Sequence, residues 1–333
     1  VSANNAPKKI QNQRGEDDMK NYRIHAGLLA LALCGAGFAT PQAAAQVNSN
    51  QIAILKWYGA NRTTSFAVQN SPSCVAFDGA NIWVANSGSN TVSKVRPSDG
   101  AILGTYTVGT SPQGLAFDGA NIWVANANSS NVTKLRASNG ATVGTYPVGN
   151  NPQFVAFDGA NIWVANTGSA NVTKLNAATG AVIGTYPVGS NPQGLAFDGA
   201  NIWVPNLVSN TLTKLQASTG AVLATYSITG PTDVVYDGSH IWVVSIGANT
   251  VTKMTTAGAV LGTYTVGANP LNAVFDGTYL WVSNFSGNTV SKLAVSTGAV
   301  VGTFAVGKSP FGLAFDGANI WVGNQGSNTV SKL

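Results

Sequence analysis

The stretch 111–149, SPQGLAFDGANIWVANANSSNVTKLRASNGATVGTYPVG, decides the fold. Gly114 to Phe117 is a short apolar run stopped by Asp118-Gly119, a dipeptide that favours a tight hairpin because Gly tolerates positive φ. Asn121 to Asn126 is a second run, and it is closed by the polar loop Asn126 to Ser130. Asn131 to Leu135 alternates with period two, and Ser138-Asn139-Gly140 turns it into a fourth run, Ala141 to Val148. No 3.6-residue period runs through any of it. The stretch predicts four short strands joined by tight turns.

The same phrase recurs seven times, with its tryptophans at Trp83, Trp123, Trp163, Trp203, Trp242, Trp281 and Trp321, spaced 40, 40, 40, 39, 39 and 40 residues apart. A period near 40 marks a repeat architecture. One four-stranded sheet cannot bury both faces alone, whereas seven stacked around an axis can. The predicted fold is therefore all-β, a seven-bladed β-propeller. Each Trp is expected to pack against a neighbouring blade. The Asp of each Asp-Gly turn (Asp78, Asp118, Asp158, Asp198, Asp237, Asp276 and Asp316) is expected to accept backbone N–H groups. Both rings read as scaffold. A third ring, Lys94, Lys134, Lys174, Lys214, Lys253, Lys292 and Lys332, lies on the third strands. These side chains are expected to point around the rim, to discourage edge-to-edge aggregation, and to contribute about 0–1 kcal/mol in any pair with those Asp residues.

The two ends complement each other. Asn50 to Pro72 aligns without gaps on Asn288 to Pro310, with Phe66 at the place of Phe304 and Val68 at that of Val306. The last repeat stops after its third strand, so 62–68 is expected to supply the fourth strand of the last blade and to remove an open sheet edge. Segments 51–56 and 329–333 both read as third strand, and only one is needed. Residues 46–333 thus form one domain, with closing strands in 46–72 and the repeats in 73–333. Upstream, Met19 is followed by Lys20 and Arg23, an apolar run from Ala26 to Leu33, and Ala43-Ala44-Ala45. That is the grammar of a secretory signal peptide over 19–45, and 1–18 reads as upstream translation. The protein is expected to be exported, to a bacterial periplasm or the exterior. The terminal Ser331-Lys332-Leu333 repeats Ser291-Lys292-Leu293 inside the chain, so it reads as repeat rather than address.

Residues 46–333 hold twelve Lys or Arg, nine Asp, no Glu, one His and one Cys. The mild positive balance is spread along the chain, unlike a nucleic-acid groove. One cysteine, Cys74, allows no internal disulfide and reads as a buried inert thiol in an inter-blade loop. His240 stands where other blades carry Asn81, Asn121, Asn161, Asn201, Tyr279 and Asn319, and so reads as a tolerant turn position. No His/Cys cluster, acidic Ca²⁺ loop or phosphate-cradling motif is present, so no metal and no cofactor is expected. Acid–base chemistry needs paired titratable groups, and the chain offers few outside the turns.

The phrases IWVANSGSNTVSKV at 82–95 and IWVGNQGSNTVSKL at 320–333 resemble the YVTN-type β-propeller repeat, with its aromatic, Val, small residue and Asn, then an Asn-Thr-Val strand. The resemblance covers the whole repeat region. It implies a seven-bladed propeller and, for function, surface-layer, periplasmic or nucleic-acid binding. The streptogramin lyases share the blade style, and membership there would imply an elimination reaction using His, Glu and a metal. This sequence departs from that pattern: its only Glu is Glu16, and its only His after residue 45 is His240.

Because the copies can be compared, departures from the repeat are visible within one chain. Four residues after each Trp stand Ser87, Ala127, Thr167, Leu207, Ile246, Phe285 and Gln325, with Val208 beside Leu207. Just after the repeated Pro stand Ser73, Gln113, Gln153, Gln193, Thr232, Leu271 and Phe311, with Phe154 one residue further on in its own repeat. Both loop types are expected on one face near the channel mouth, so Leu207, Val208, Ile246, Phe285, Leu271, Phe311 and Phe154 form a candidate ligand-binding patch. Asp233, alone in a slot held elsewhere by Gly, Cys, Phe and Asn, is its candidate polar anchor. The expected function is a non-catalytic binding scaffold for a protein or cell-surface carbohydrate. The rivals are a streptogramin lyase-like enzyme and a polyanion-binding periplasmic propeller.

Overall fold

The computed structural model describes residues 65–333. Seven antiparallel four-stranded sheets make up the blades of a β-propeller. Blades one to three begin with the inner strands Pro72–Phe77, Pro112–Phe117 and Pro152–Phe157; blades five to seven begin with Pro231–Tyr236, Pro270–Phe275 and Pro310–Phe315. Blade four keeps only Ala196–Phe197 of that strand. Second strands are buried along nearly their whole length, whereas fourth strands such as Thr142–Pro147 alternate between exposed and half-buried. Residues 1–64, including the predicted signal segment and the strand-like 51–56, lie outside the described residues.

Closure follows the predicted scheme. Ser65–Ala67 pairs antiparallel with Thr329–Lys332, Phe66 opposite Val330, and supplies the outer strand of blade seven. The third strand of that blade is therefore 329–332. Phe66 stacks on Trp321 at 5.6 Å, as Tyr106 does on Trp83 in blade one.

Each Trp is clamped three ways. Its indole N–H donates to Oδ2 of the Asp in its own turn at 2.7 or 2.8 Å in every blade. Its face packs on the next blade: Trp163 sits among Ile202, Val204, Leu215 and Ala217. Tyr186 covers it from the outer strand, with ring centroids 5.7 Å apart. The same Tyr rings press against the turns of the following blade. A Cβ on Gly140, whose φ is +74, would stand 2.0 Å from the Tyr106 ring, so that turn admits no side chain.

The lysine ring corrects the expectation above. These cations do not point around the rim. Lys134 is only 4% exposed; its Nζ lies 4.9 Å from the Trp123 ring centre and donates to Ala177 O of the next blade at 2.7 Å. Lys94 and Lys174 repeat this arrangement, and Lys332 closes the circle by donating to Pro97 O of blade one at 2.8 Å. Lys292 instead lies 3.9 Å from the Tyr279 ring centre. The outer strand of the blade after it comes from the other end of the chain. The Asp partners imagined for these lysines are taken by Trp. Replacing Lys134 with Met keeps the apolar stem but leaves Ala177 O without its partner. The expected cost is about 1–3 kcal/mol by urea unfolding, against almost nothing for the exposed Arg136.

Candidate functional site

The innermost ring is set by the third residue of the inner strands, and in blade four by the equivalent Gly194: Cys74, Gly114, Phe154, Gly194, Asp233, Asn272 and Gly312. Neighbouring inner strands approach so closely here that large and small residues alternate. A Cβ on Gly114 would stand 2.8 Å from Phe154 Cα, one on Gly312 2.6 Å from Cys74 Cα, and one on Gly194 2.0 Å from Asp233 Oδ1. Seven is odd, so alternation must fail once. It fails between Asp233 and Asn272, where a hydrogen bond takes its place.

Asp233 is buried, with 5% of its surface exposed. Its Oδ2 accepts from Asn272 Nδ2 at 2.7 Å and from Ala273 N at 2.9 Å. Asn272 Oδ1 in turn accepts from Leu313 N at 3.1 Å, so the pair ties blades five, six and seven together. Burial drives the Asp233 carboxyl up to about 7, with the Ala273 amide opposing that rise. Blade four makes room for it. Pro205 offers no N–H to its inner strand, which is broken there, and Gly194 N bonds instead to Thr232 O of blade five at 3.0 Å. Gly194 is thereby held beneath Asp233 Oδ1.

Asp233, Asn272 and Ala273 line a central cavity of about 400 Å³. Its walls include Val155, Leu195, Val234 and Leu313, with Phe197, Tyr236 and Phe275 among the aromatic lining. Cys74 also lines it; it belongs to the inner strand Pro72–Phe77 rather than to a loop, and burial pushes its thiol up to about 11. Phe154 and Phe311 stack with centroids 6.4 Å apart although their blades, three and seven, do not adjoin. The contact therefore spans the axis.

The remaining candidates lie at the margin of this channel. The two loop types share one face, as expected: Leu207 N bonds to Asn191 O, Ile246 N to Gly230 O and Phe285 N to Asn269 O, each joining a loop after a second strand to the connection entering its blade. Leu207, Ile246 and Phe285 are half-buried on that face, and Val208 is 64% exposed. Leu271 and Phe311 are half-buried second residues of inner strands, while Phe154 is buried. Asn272, the partner of Asp233, was legible only as one more departure in the inner slot. His240 stands in the hairpin turn of blade five, its Nδ1 3.4 Å from Asp237 Oδ2, and does not line the cavity.

No protein-family model and no curated protein sequence matches the chain. Solved structures do match. Hydrazine synthase of Kuenenia stuttgartiensis superposes with a TM-score of 0.70 at 20% identity, over 80% of this chain and 96% of that one. A streptogramin B lyase gives 0.69 at 19% identity, over 80% and 95% of the two chains. Virginiamycin B lyase of Staphylococcus aureus gives 0.69 at 19% identity, over 80% and 97%. At such identities the likeness is one of fold, a propeller shared by proteins of different chemistry.

Proposed function

We propose that the protein is an exported, non-catalytic binding propeller with repeats of the YVTN type. Its ligand face carries the loops after the second strands and the channel mouth. One observation carries this reading: the side chains that break the repeat gather on that face and along the channel beneath it, from Leu207, Ile246 and Phe285 to the Phe154–Phe311 stack. In a repeat protein the scaffold needs the same residue at the same slot, so a departure that adds apolar surface on one face has its reason outside the scaffold. The ligand is a protein or a cell-surface carbohydrate. Against a polyanion ligand stands the lysine ring, whose ammonium groups lie over Trp rings and bond to carbonyls between blades. Against an elimination reaction stands His240, held in a turn beside Asp237 and away from the cavity.

The test replaces Phe285 and Ile246 together with Ser. Binding of the purified protein to the envelope fraction of the producing cell is expected to fall at least about tenfold, since central apolar anchors carry most of an interface's energy. Circular dichroism should stay that of the wild type. Unchanged binding by the folded variant would remove the face from consideration.

A further inference from the structure

The bond from Asn272 to Asp233 closes the odd ring of seven, but that task does not require a charge, and the carboxylate's charge is left without use in the scaffold. Six other blades fill the same slot with neutral residues, so neither stacking nor closure asks for a charge there. Asp233 Oδ2 accepts from Asn272 and Ala273, Oδ1 lies against Gly194, and the residue lines the central cavity. The residues lining the cavity include no Lys, Arg or His. A carboxylate withdrawn from water without a counter-ion is costly, and such groups are normally paired.

We infer that the central cavity binds a small organic ammonium ion with an apolar body, and that Asp233 is its counter-ion. The inference does not rest on the proposed ligand face, because the cavity is lined by the third to sixth residues of the inner strands, toward the Asp-Gly turns. The lining suits the apolar part: Val155, Leu195, Val234 and Leu313 border the cavity together with Phe197, Tyr236 and Phe275, and aromatic rings attract cations. Asn272 holds the carboxylate in place, as its own Oδ1 is taken by Leu313 N. A divalent metal fits poorly, because hard cations take about six to eight oxygens and the described residues hold no cluster of three His, Cys, Asp or Glu. An anion would meet the carboxylate head on. The other titratable groups facing the cavity are Cys74, kept as a neutral thiol by burial, and Tyr236, whose hydroxyl donates to Gly238 O at 2.7 Å. Ionisation of Asp233 thus governs the charge of the site.

The experiment is calorimetric titration of the whole protein with phenethylamine, and with phenethyl alcohol and 3-phenylpropionate as neutral and anionic counterparts. At pH 8 the amine is expected to bind and the other two not. Asp233→Asn, which keeps both acceptor contacts, should weaken the amine at least about thirty-fold, as loss of one partner of a buried charge pair does. In the wild type, affinity should rise from pH 6 to pH 8 as the carboxylate ionises; this arm holds even if the variant fails to fold. Equal binding of alcohol and amine, an affinity indifferent to pH, an Asn variant that binds as well as wild type, or no amine binding at millimolar concentration would each overturn the inference. The Phe285 and Ile246 double variant separates the two ideas: it should keep amine binding while losing the envelope.

Discussion

Trp163→Ala is expected to lower the unfolding free energy by about 3–5 kcal/mol, the range for deleting a large buried aromatic side chain. Trp163 is fully buried and joins two blades, touching Ile202, Val204 and Leu215 across the interface. Removal leaves a cavity between them. It also strips the Tyr186 ring and the Lys174 ammonium of the surface they rest on, at 5.7 and 5.0 Å. Trp163→Phe separates the terms: most of the packing stays, while Asp158 Oδ2 loses the indole donor it holds at 2.7 Å. Its cost should be smaller, about 1.5–3 kcal/mol for a hydrogen bond to a charged group. Partial burial pushes the Asp158 carboxyl up, but the Trp163 indole, the Ala160 amide and the Asn161 contacts outweigh it, and the net shift is downward. Such a group stabilises the fold above its unfolded value, near pH 4, and the benefit fades as pH falls through its folded value. The Phe variant should therefore show weaker pH dependence below pH 4 in urea unfolding series. An equal loss for both variants would show that the N–H, rather than the packing, carries the stability.

Asp233→Asn is expected to make the protein more stable at pH 8, with the opposite pH signature. Burial raises the folded carboxyl from the ordinary 3.8 to about 7. The stabilising form is the neutral one, so its contribution is complete below about pH 4 and is lost as pH rises to about 7. The full difference corresponds to roughly 4 kcal/mol, an upper figure for a channel that admits water. Wild-type stability should fall between pH 4 and pH 7, whereas the Asn variant stays flat there. Urea midpoints measured across that window check it, with an unchanged m-value showing that the folded state keeps its compactness. A variant that parallels the wild type would mean the carboxylate ionises freely, and its burial would cost nothing.

The scaffold was legible because its causes are local. Asp118-Gly119, the alternation of Asn131 to Leu135 and the Ser138-Asn139-Gly140 turn each act over a few residues, and seven copies confirm one another. The closing strand was legible for the same reason: Phe66 sits at the place of Phe304 in a gap-free alignment and is found at the outer edge of blade seven, on Trp321. The lysines were misread, since strand alternation states which face a side chain leaves by but not what lies beyond it. Beyond Lys134 lies a carbonyl of the next blade.

The chain's own order of residues determined the blades, their number and their manner of closure, because strand period, turn chemistry and repeat length are properties of short segments. The tertiary structure alone decided what occupies the axis. Phe154 meets Phe311, Gly194 lies under Asp233, and Asn272 bridges Asp233 to Leu313. Each pairing joins different blades, and only the ring of seven, too odd to alternate perfectly, brings a carboxylate and an amide together at the axis.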